Sequence, residues 1–320
     1  MKSDIFLHKN KSSSYLHTLR IGSIVILIVA MLLSGCEQNH EAYVSTSTEI
    51  RDNTPNCLVP EAPGEIVYSN ELALLDASNV SEGYVIFTYL GSSNDVKLQI
   101  TGPDYMQYTY DIHDNNPETF PISAGNGMYT IGAFENIDGN QYSTIFMEEL
   151  ELNVTNEFGA FLYPNQYVKF NKDNNVVSQA SSLVSNAHDD LEAINCIYNY
   201  LIQNITYDTY KAETVQSGYI PDVDEILNIK TGICLDYAAV MVSMLRSQGI
   251  PARMEVGYAG NAYHAWISAY AENVGWINGI VEFNGTDWSL MDPTIAASQG
   301  EKKLKSFIGD GKSYLTKYIY

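Results

Sequence analysis

The stretch Gly232-Ile233-Cys234-Leu235-Asp236-Tyr237-Ala238 opens a segment in which Leu235, Ala238, Val242 and Leu245 recur at helical spacing, and Gly249-Ile250-Pro251 stops it. The pattern predicts a helix that begins at Cys234. Glycine suits the left-handed position just past the end, and proline cannot continue the helix. Downstream, residues 253–258, 263–270 and 280–283 read as strands, followed by a turn at Asn284-Gly285 and another strand at 288–291. A helix followed by antiparallel strands is an α+β layout.

A cysteine in the first turn of a helix meets free backbone N–H groups and the positive end of the helix dipole. Both favour thiolate over thiol, and both can receive a developing oxyanion. Taken alone, Cys234 also reads as a small buried hydrophobe opening a core helix. Alternation along the strand-like 263–270 puts His264, Trp266 and Ser268 on one face and Ala265, Ile267 and Ala269 on the other, so an indole can shield and orient the imidazole. A histidine in such a place is also a common core residue. Asp292 ends the next strand before Pro293, where a carboxylate can accept the second ring N–H of a histidine on an adjacent strand; Asp before Pro is equally a turn starter. In chain order these are a thiol, its base and the group that orients the base.

Working outward, Val184, Ala187, Leu191, Ile194, Tyr198, Leu201 and Ile205 alternate spacings of three and four, which predicts one helix of about 25 residues. Cys196 falls off that stripe and reads as a structural thiol or a partner for Cys57. Residues 61–170 hold short β-rich runs, such as Tyr84-Val85-Ile86-Phe87-Thr88-Tyr89 and Val96-Lys97-Leu98-Gln99-Ile100. Turn chemistry at Gly102-Pro103, Asn115-Asn116-Pro117 and Asp138-Gly139 separates them, as in a β-sandwich. The expected organisation is a leader over 1–35, a flexible tether over 36–60, the β-sandwich over 61–170 and an α+β domain over 171–320.

The leader carries Lys2, Lys9, Lys11 and Arg20 ahead of an apolar run over 21–33, too short to span a bilayer and suited to an export signal. It ends in Leu33-Ser34-Gly35-Cys36, which resembles a bacterial lipobox and marks Cys36 for lipidation. The expected location is therefore the outer face of a cell membrane, held by lipid. The chain sets 17 Lys and Arg against 38 Asp and Glu, with no basic cluster, so no nucleic-acid partner is expected. The three histidines beyond the tether, His113, His188 and His264, show no zinc-ligand spacing, and no cofactor is expected. Gly309-Asp310-Gly311-Lys312-Ser313 suggests a phosphate loop, but Ser306 stands where the motif needs glycine and residues 314–320 read as a strand, so no nucleotide is expected either.

The Gly232 to Ala238 stretch, Gly249-Ile250-Pro251-Ala252-Arg253, Gly257-Tyr258, His264-Ala265-Trp266 and the run ending Asp292-Pro293-Thr294 together resemble the transglutaminase-like superfamily of papain-related Cys-His-Asp enzymes. The helix ending Asn204-Ile205-Thr206-Tyr207-Asp208 resembles the start of that family's domain, and the whole likeness covers about residues 176–300. The β-rich half and the tail resemble exported lipoproteins of Gram-positive anaerobes. The resemblance implies a papain-like fold with the cysteine helix packed on an antiparallel sheet. By position it implies Cys234 as nucleophile, His264 as general base then acid, and Asp292 as its orienter. No upstream Trp matches the oxyanion-assisting Trp of animal cross-linking enzymes, which leaves Tyr207, with Trp266, as the candidate oxyanion or cleft residues. The family includes cross-linking transferases, peptidases, amidases and inactive scaffolds. The expected activity is cysteine-dependent hydrolysis of a protein or peptide substrate through an acyl-enzyme, with cross-linking or a silent binding scaffold as alternatives.

Overall fold

A computed structural model of the chain describes residues 50–259, 262–278, 281–283, 288–290 and 314–320. The expectations for the leader, Cys36, the turn at Asn284-Gly285, Asp292 and residues 309–313 lie outside the described residues.

The first half is built from strands with a two-residue repeat. In β4, for example, Val96, Leu98 and Ile100 are buried while Lys97, Gln99 and Thr101 point outward. The strands are β1 (Val67–Ser69), β2 (Ala73–Asp76), β3 (Tyr84–Tyr89), β4 (Val96–Thr101), β5 (Gln107–Ile112), β6 (Glu118–Pro121), β7 (Gly127–Asp138) and β8 (Gln141–Leu152). They form two antiparallel sheets, ordered β1-β2-β3-β6 and β5-β4-β7-β8. The sheets meet face to face: Phe87 of β3 packs on Phe146 of β8, and Tyr110 of β5 sets its edge against Phe120 of β6 with centroids 4.8 Å apart. This is the sandwich that the strand spacing predicts.

The second half is α+β. Helices α1 (Asn175–Val184), α2 (Asp190–Asn204), α3 (Thr209–Thr214), α4 (Val223–Ile229) and α5 (Cys234–Ser247) accompany a short parallel pair, β9 (Thr206–Tyr207) with β10 (Thr231–Gly232). Then come β11 (Ala252–Ala259), β12 (Ala262–Ala271), β13 (Gly275–Ile277), the hairpin strands β14 (Val281–Phe283) and β15 (Trp288–Leu290), and β16 (Tyr314–Ile319). An antiparallel sheet in the order β13-β12-β11-β16 carries α5 on one side, and α1, α2 and α4 pack on that same helix. A helix covered by both a sheet and other helices must be apolar all round, and α5 is buried from Asp236 to Ser247. It ends as its sequence predicts, with Gly249 in the left-handed region at φ +72°.

One expectation is corrected. The apolar stripe from Val184 to Ile205 is buried throughout, but it spans two helices and not one. Asp189 stands in extended conformation at φ −149° and ψ 175°, and its carboxylate accepts the Glu192 N–H at 2.8 Å, capping α2. Glu192 also accepts the His188 N–H at 2.9 Å, tying the residue before the cap to the first turn. Hydrophobic spacing reports the buried face and is blind to a break that keeps that face in phase.

The described part of the expected tether is held against the fold. Arg51 pairs with Asp190 at 2.6 Å and donates to the Gln248 carbonyl, Asn53 donates to the Ala187 carbonyl, and the Asn56 N–H reaches the Ser247 carbonyl at 2.8 Å. Cys57 and Cys196 both carry free thiols. No helix of the described residues is long and apolar enough to cross a membrane.

Two devices join the sandwich to the α+β half. Tyr320 packs edge-on against Tyr108 and Tyr110, and lies 4.6 Å from Tyr167. Arg246 of α5 is fully buried and donates to three carbonyls: Ala252 at 3.0 and 2.8 Å, Tyr163 at 2.6 Å and Tyr320 at 2.8 Å. Burial draws its guanidinium well below the usual arginine range, to about 9, and the three oxygens give the charge its hydrogen-bond partners. Replacing it by an apolar side chain leaves those carbonyls without these donors. We therefore expect Arg246→Met to cost about 2–4 kcal/mol and to lower Tm by roughly 5–12 °C, read by thermal circular dichroism.

Candidate active site

Cys234 is the first residue of α5, and the segment around it is locked by a carboxylate one turn in. Asp236 is fully buried; its Oδ2 accepts the Ile233 N–H at 2.9 Å, so it closes the helix start that presents Cys234. The same carboxylate takes Lys211 Nζ at 2.5 Å and the Tyr219 hydroxyl at 2.7 Å, and Lys211 also lies 4.3 Å over the Tyr219 ring. These contacts draw α3 and the loop after it over the start of α5. Gly232 is required by the same closure, since a Cβ there would stand 2.7 Å from the Asp236 Cβ.

The β9–β10 pair sets Tyr207 opposite Gly232, two residues from the sulfur. There its hydroxyl lies near the Cys234 backbone N–H, and burial pushes its pKa up. Across the cleft, β12 carries His264 in register with Gly257 of β11. The imidazole is half-buried and lies near-parallel to the Trp266 ring, with centroids 6.3 Å apart and planes 26° apart. Cys234, His264, Tyr207, Tyr219 and Tyr263 all line one cavity of about 530 Å³. Its described lining is mostly aromatic, aliphatic and uncharged polar.

The sulfur is half-buried, and burial pushes its pKa up. The Ala265 and Leu235 N–H groups pull it down, and the nearby Asp236 charge adds to the rise. The net direction is upward, which corrects the expectation that the helix start alone would favour thiolate. Desolvation outweighs the N-terminal donors.

The structure therefore brings Cys234, His264 and Tyr207 to one cleft, while Asp292 lies outside the described residues. Trp266 corrects a second expectation: it does not line this cavity. The side chain is buried and its Nε1–H points at the Glu255 carboxylate, 3.2 Å away, so the indole N–H is turned from the cleft. Sequence reading missed the Lys211, Tyr219 and Asp236 cluster and also Glu255. Asp236 carried a signal, being an acid at the third position of a helix expected to start at Cys234. Lys211 and Tyr219 carried none, because only tertiary packing brings them there.

Residues 177–279 match the family model of the transglutaminase-like superfamily core. Among curated proteins, the chain is 30% identical over 111 residues to an uncharacterized protein YebA of Bacillus subtilis, covering 28% of this chain and 15% of that protein. It is 27% identical over 108 residues to a protein-glutamine gamma-glutamyltransferase of Pseudomonas aeruginosa, covering 29% and 14%. The match thus spans about a seventh of the length of either relative. Among solved structures, a provisionally named cysteine protease of Cytophaga hutchinsonii has a TM-score of 0.35 at 12% identity, covering 80% of this chain and 84% of that one. Red sea bream transglutaminase has a TM-score of 0.28 at 14% identity, covering 68% and 49%. The chain carries a transglutaminase-like core domain over residues 177–279, and Cys234, His264 and Tyr207 all fall within it.

Proposed function

We propose that the protein is a cysteine-dependent acyl-transfer enzyme that hydrolyses peptide or isopeptide bonds. The observation that carries this reading is the shared cleft: a helix-start sulfur and an imidazole on the facing strand line one open cavity large enough for an extended segment of chain. In this scheme Cys234 Sγ attacks an amide carbonyl as its proton passes to His264. His264 then gives that proton to the leaving amine, and a thioester links the acyl group to Cys234. Water, deprotonated by His264, attacks the thioester and frees the acid. Tyr207, lying against Cys234, acts in this scheme as the hydroxyl donor to the oxyanion, and Asp292 holds the imidazole from its far side.

Water is favoured over an amine as acceptor because the described cleft lining carries no acidic side chain to draw in a lysine ammonium. The name of the Pseudomonas relative supports the second reading, transfer to an amine. We further propose that lipid on Cys36 holds the protein at the outer face of the membrane, with proteins or peptides there as substrates. No cofactor takes part in this scheme.

Several outcomes are expected. Alkylation of Cys234 by limiting iodoacetamide should keep rising with pH beyond 8.5, because burial raises the thiol; a plateau from pH 6 upward would indicate a resting thiolate and imidazolium pair. At pH 7, His264→Ala should slow that alkylation at least tenfold, whereas equal labelling of Cys57, Cys196 and Cys234 in the intact protein would favour a silent scaffold. Tyr207→Phe should lower kcat on a peptide substrate by about 10²-fold with little change in KM. With casein and a labelled primary amine, release of new amino termini should depend on Cys234; Cys234-dependent amine incorporation in its place would assign transferase activity.

A further inference from the structure

The sheet face that carries His264 also buries a carboxylate. Glu255 of β11 stands in register with Trp266 of β12 and is 8% exposed. Its oxygens accept Trp266 Nε1–H at 3.2 Å, the Ser268 hydroxyl, and the Thr316 hydroxyl of β16 at 2.9 Å. Arg253, two residues earlier on the same face, lies 3.7 Å over the Trp276 ring and 4.5 Å from that of Phe161, close enough to feel the carboxylate's charge. On the opposite face the small and apolar Ala265, Ile267 and Ala269 pack toward α5.

Burying a carboxylate in a sheet costs several kcal/mol unless its hydrogen bonds and counter-charge offset the lost hydration. Valine or methionine would fill the position more cheaply. What the carboxylate adds is direction. An indole ring in an apolar slot can turn about its side-chain torsions, but one whose N–H is bonded to a fixed acceptor has a single orientation. The His264 imidazole stands beside that ring, with centroids 6.3 Å and planes 26° apart, so the ring limits how far the imidazole can turn. An imidazole that must take a proton from sulfur and return it to a leaving amine needs its ring plane held within a few tens of degrees, since proton transfer falls away steeply with misalignment.

We propose that Glu255 and Trp266 act as a positioning pair for His264, the carboxylate fixing the indole and the indole fixing the plane of the imidazole. Neither touches substrate. The inference rests on the thiol chemistry proposed above for the same cleft, and it assigns to the otherwise costly buried carboxylate a role in the rate of that chemistry. A simpler role, a staple joining β11, β12 and β16, uses all three donors alike; the positioning role depends on the indole arm.

The test compares Trp266→Phe, Glu255→Gln, Glu255→Leu and Thr316→Val in the full chain, each checked for folding by circular dichroism. Turnover of the peptide substrate is followed across pH 5 to 9. Positioning predicts that Trp266→Phe and Glu255→Leu lose tenfold or more in kcat with KM within twofold, and that Glu255→Gln, which still offers an acceptor to the indole, recovers most of the loss. Thr316→Val, which removes an arm that does not reach the indole, should retain kcat within twofold. Should Glu255→Leu fail to fold, Trp266→Phe decides, because it keeps the apolar ring. Retention of kcat by folded Trp266→Phe, or an equal loss in Thr316→Val, would overturn the proposal. A wild-type protein with no Cys234-dependent turnover would defeat the functional reading instead. Positioning is then read without turnover from the His264 imidazole NMR signals, which should move in Glu255→Leu and stay in Glu255→Gln and Thr316→Val; unmoved signals in folded Glu255→Leu would reject it.

Discussion

The buried Asp236 carboxylate is the contact on which the site depends. It closes the first turn of α5 by taking the Ile233 N–H, and with its remaining capacity it holds Lys211 and Tyr219. The first bond fixes where Cys234 sits; the other two fix the wall of the cleft beside it. A charged hydrogen-bonded cluster is a demanding way to do this, because removal of one partner leaves the others buried and unmatched. That same demand makes the geometry specific: the helix cannot shift by part of a turn without breaking all three bonds at once.

From this anchor the chemistry follows by competition between burial and hydrogen bonding. Loss of water and the charge of Asp236 hold the Cys234 proton on, while the backbone N–H groups of Ala265, Leu235 and Cys234 draw it off. Burial wins, and the thiol is pushed above its ordinary range. His264 lies on a strand of the sheet that packs against α5, which ties the placement of imidazole and sulfur to the packing of the core and not to a loop. The apolar face of that sheet sets the helix and its polar face sets the imidazole, so one strand serves both.

Much of this was legible in the sequence because periodicity reports burial directly. The start of α5 at Cys234, its stop before Gly249, and strands over 253–258 and 263–270, which the structure extends by one residue at each end, all follow from residue spacing and turn chemistry. The alternation that pairs His264 with Trp266 on one face also follows. Three features were not legible. The break between α1 and α2 keeps the apolar stripe in phase, so only the Asp189 cap betrays it. Trp266 could be placed on the right face but not turned away from the cleft, since that depends on Glu255, remote from it in the pattern and adjacent only through strand pairing. The hold of Lys211 on Asp236 spans a loop that carries no periodic signal. What escapes sequence reading here is polar and tertiary, and that is the part that adjusts the chemistry.

The most direct measurement is mass spectrometry of the full-length protein quenched with acid during turnover of an activated peptide ester. If Cys234 is the acceptor of an acyl group, the Cys234 peptide gains the mass of the acyl fragment, the adduct decays on dilution into water, and Cys234→Ser abolishes the decaying thioester. Turnover with Cys234 unmodified throughout, or an adduct confined to Cys57 or Cys196, would contradict the account.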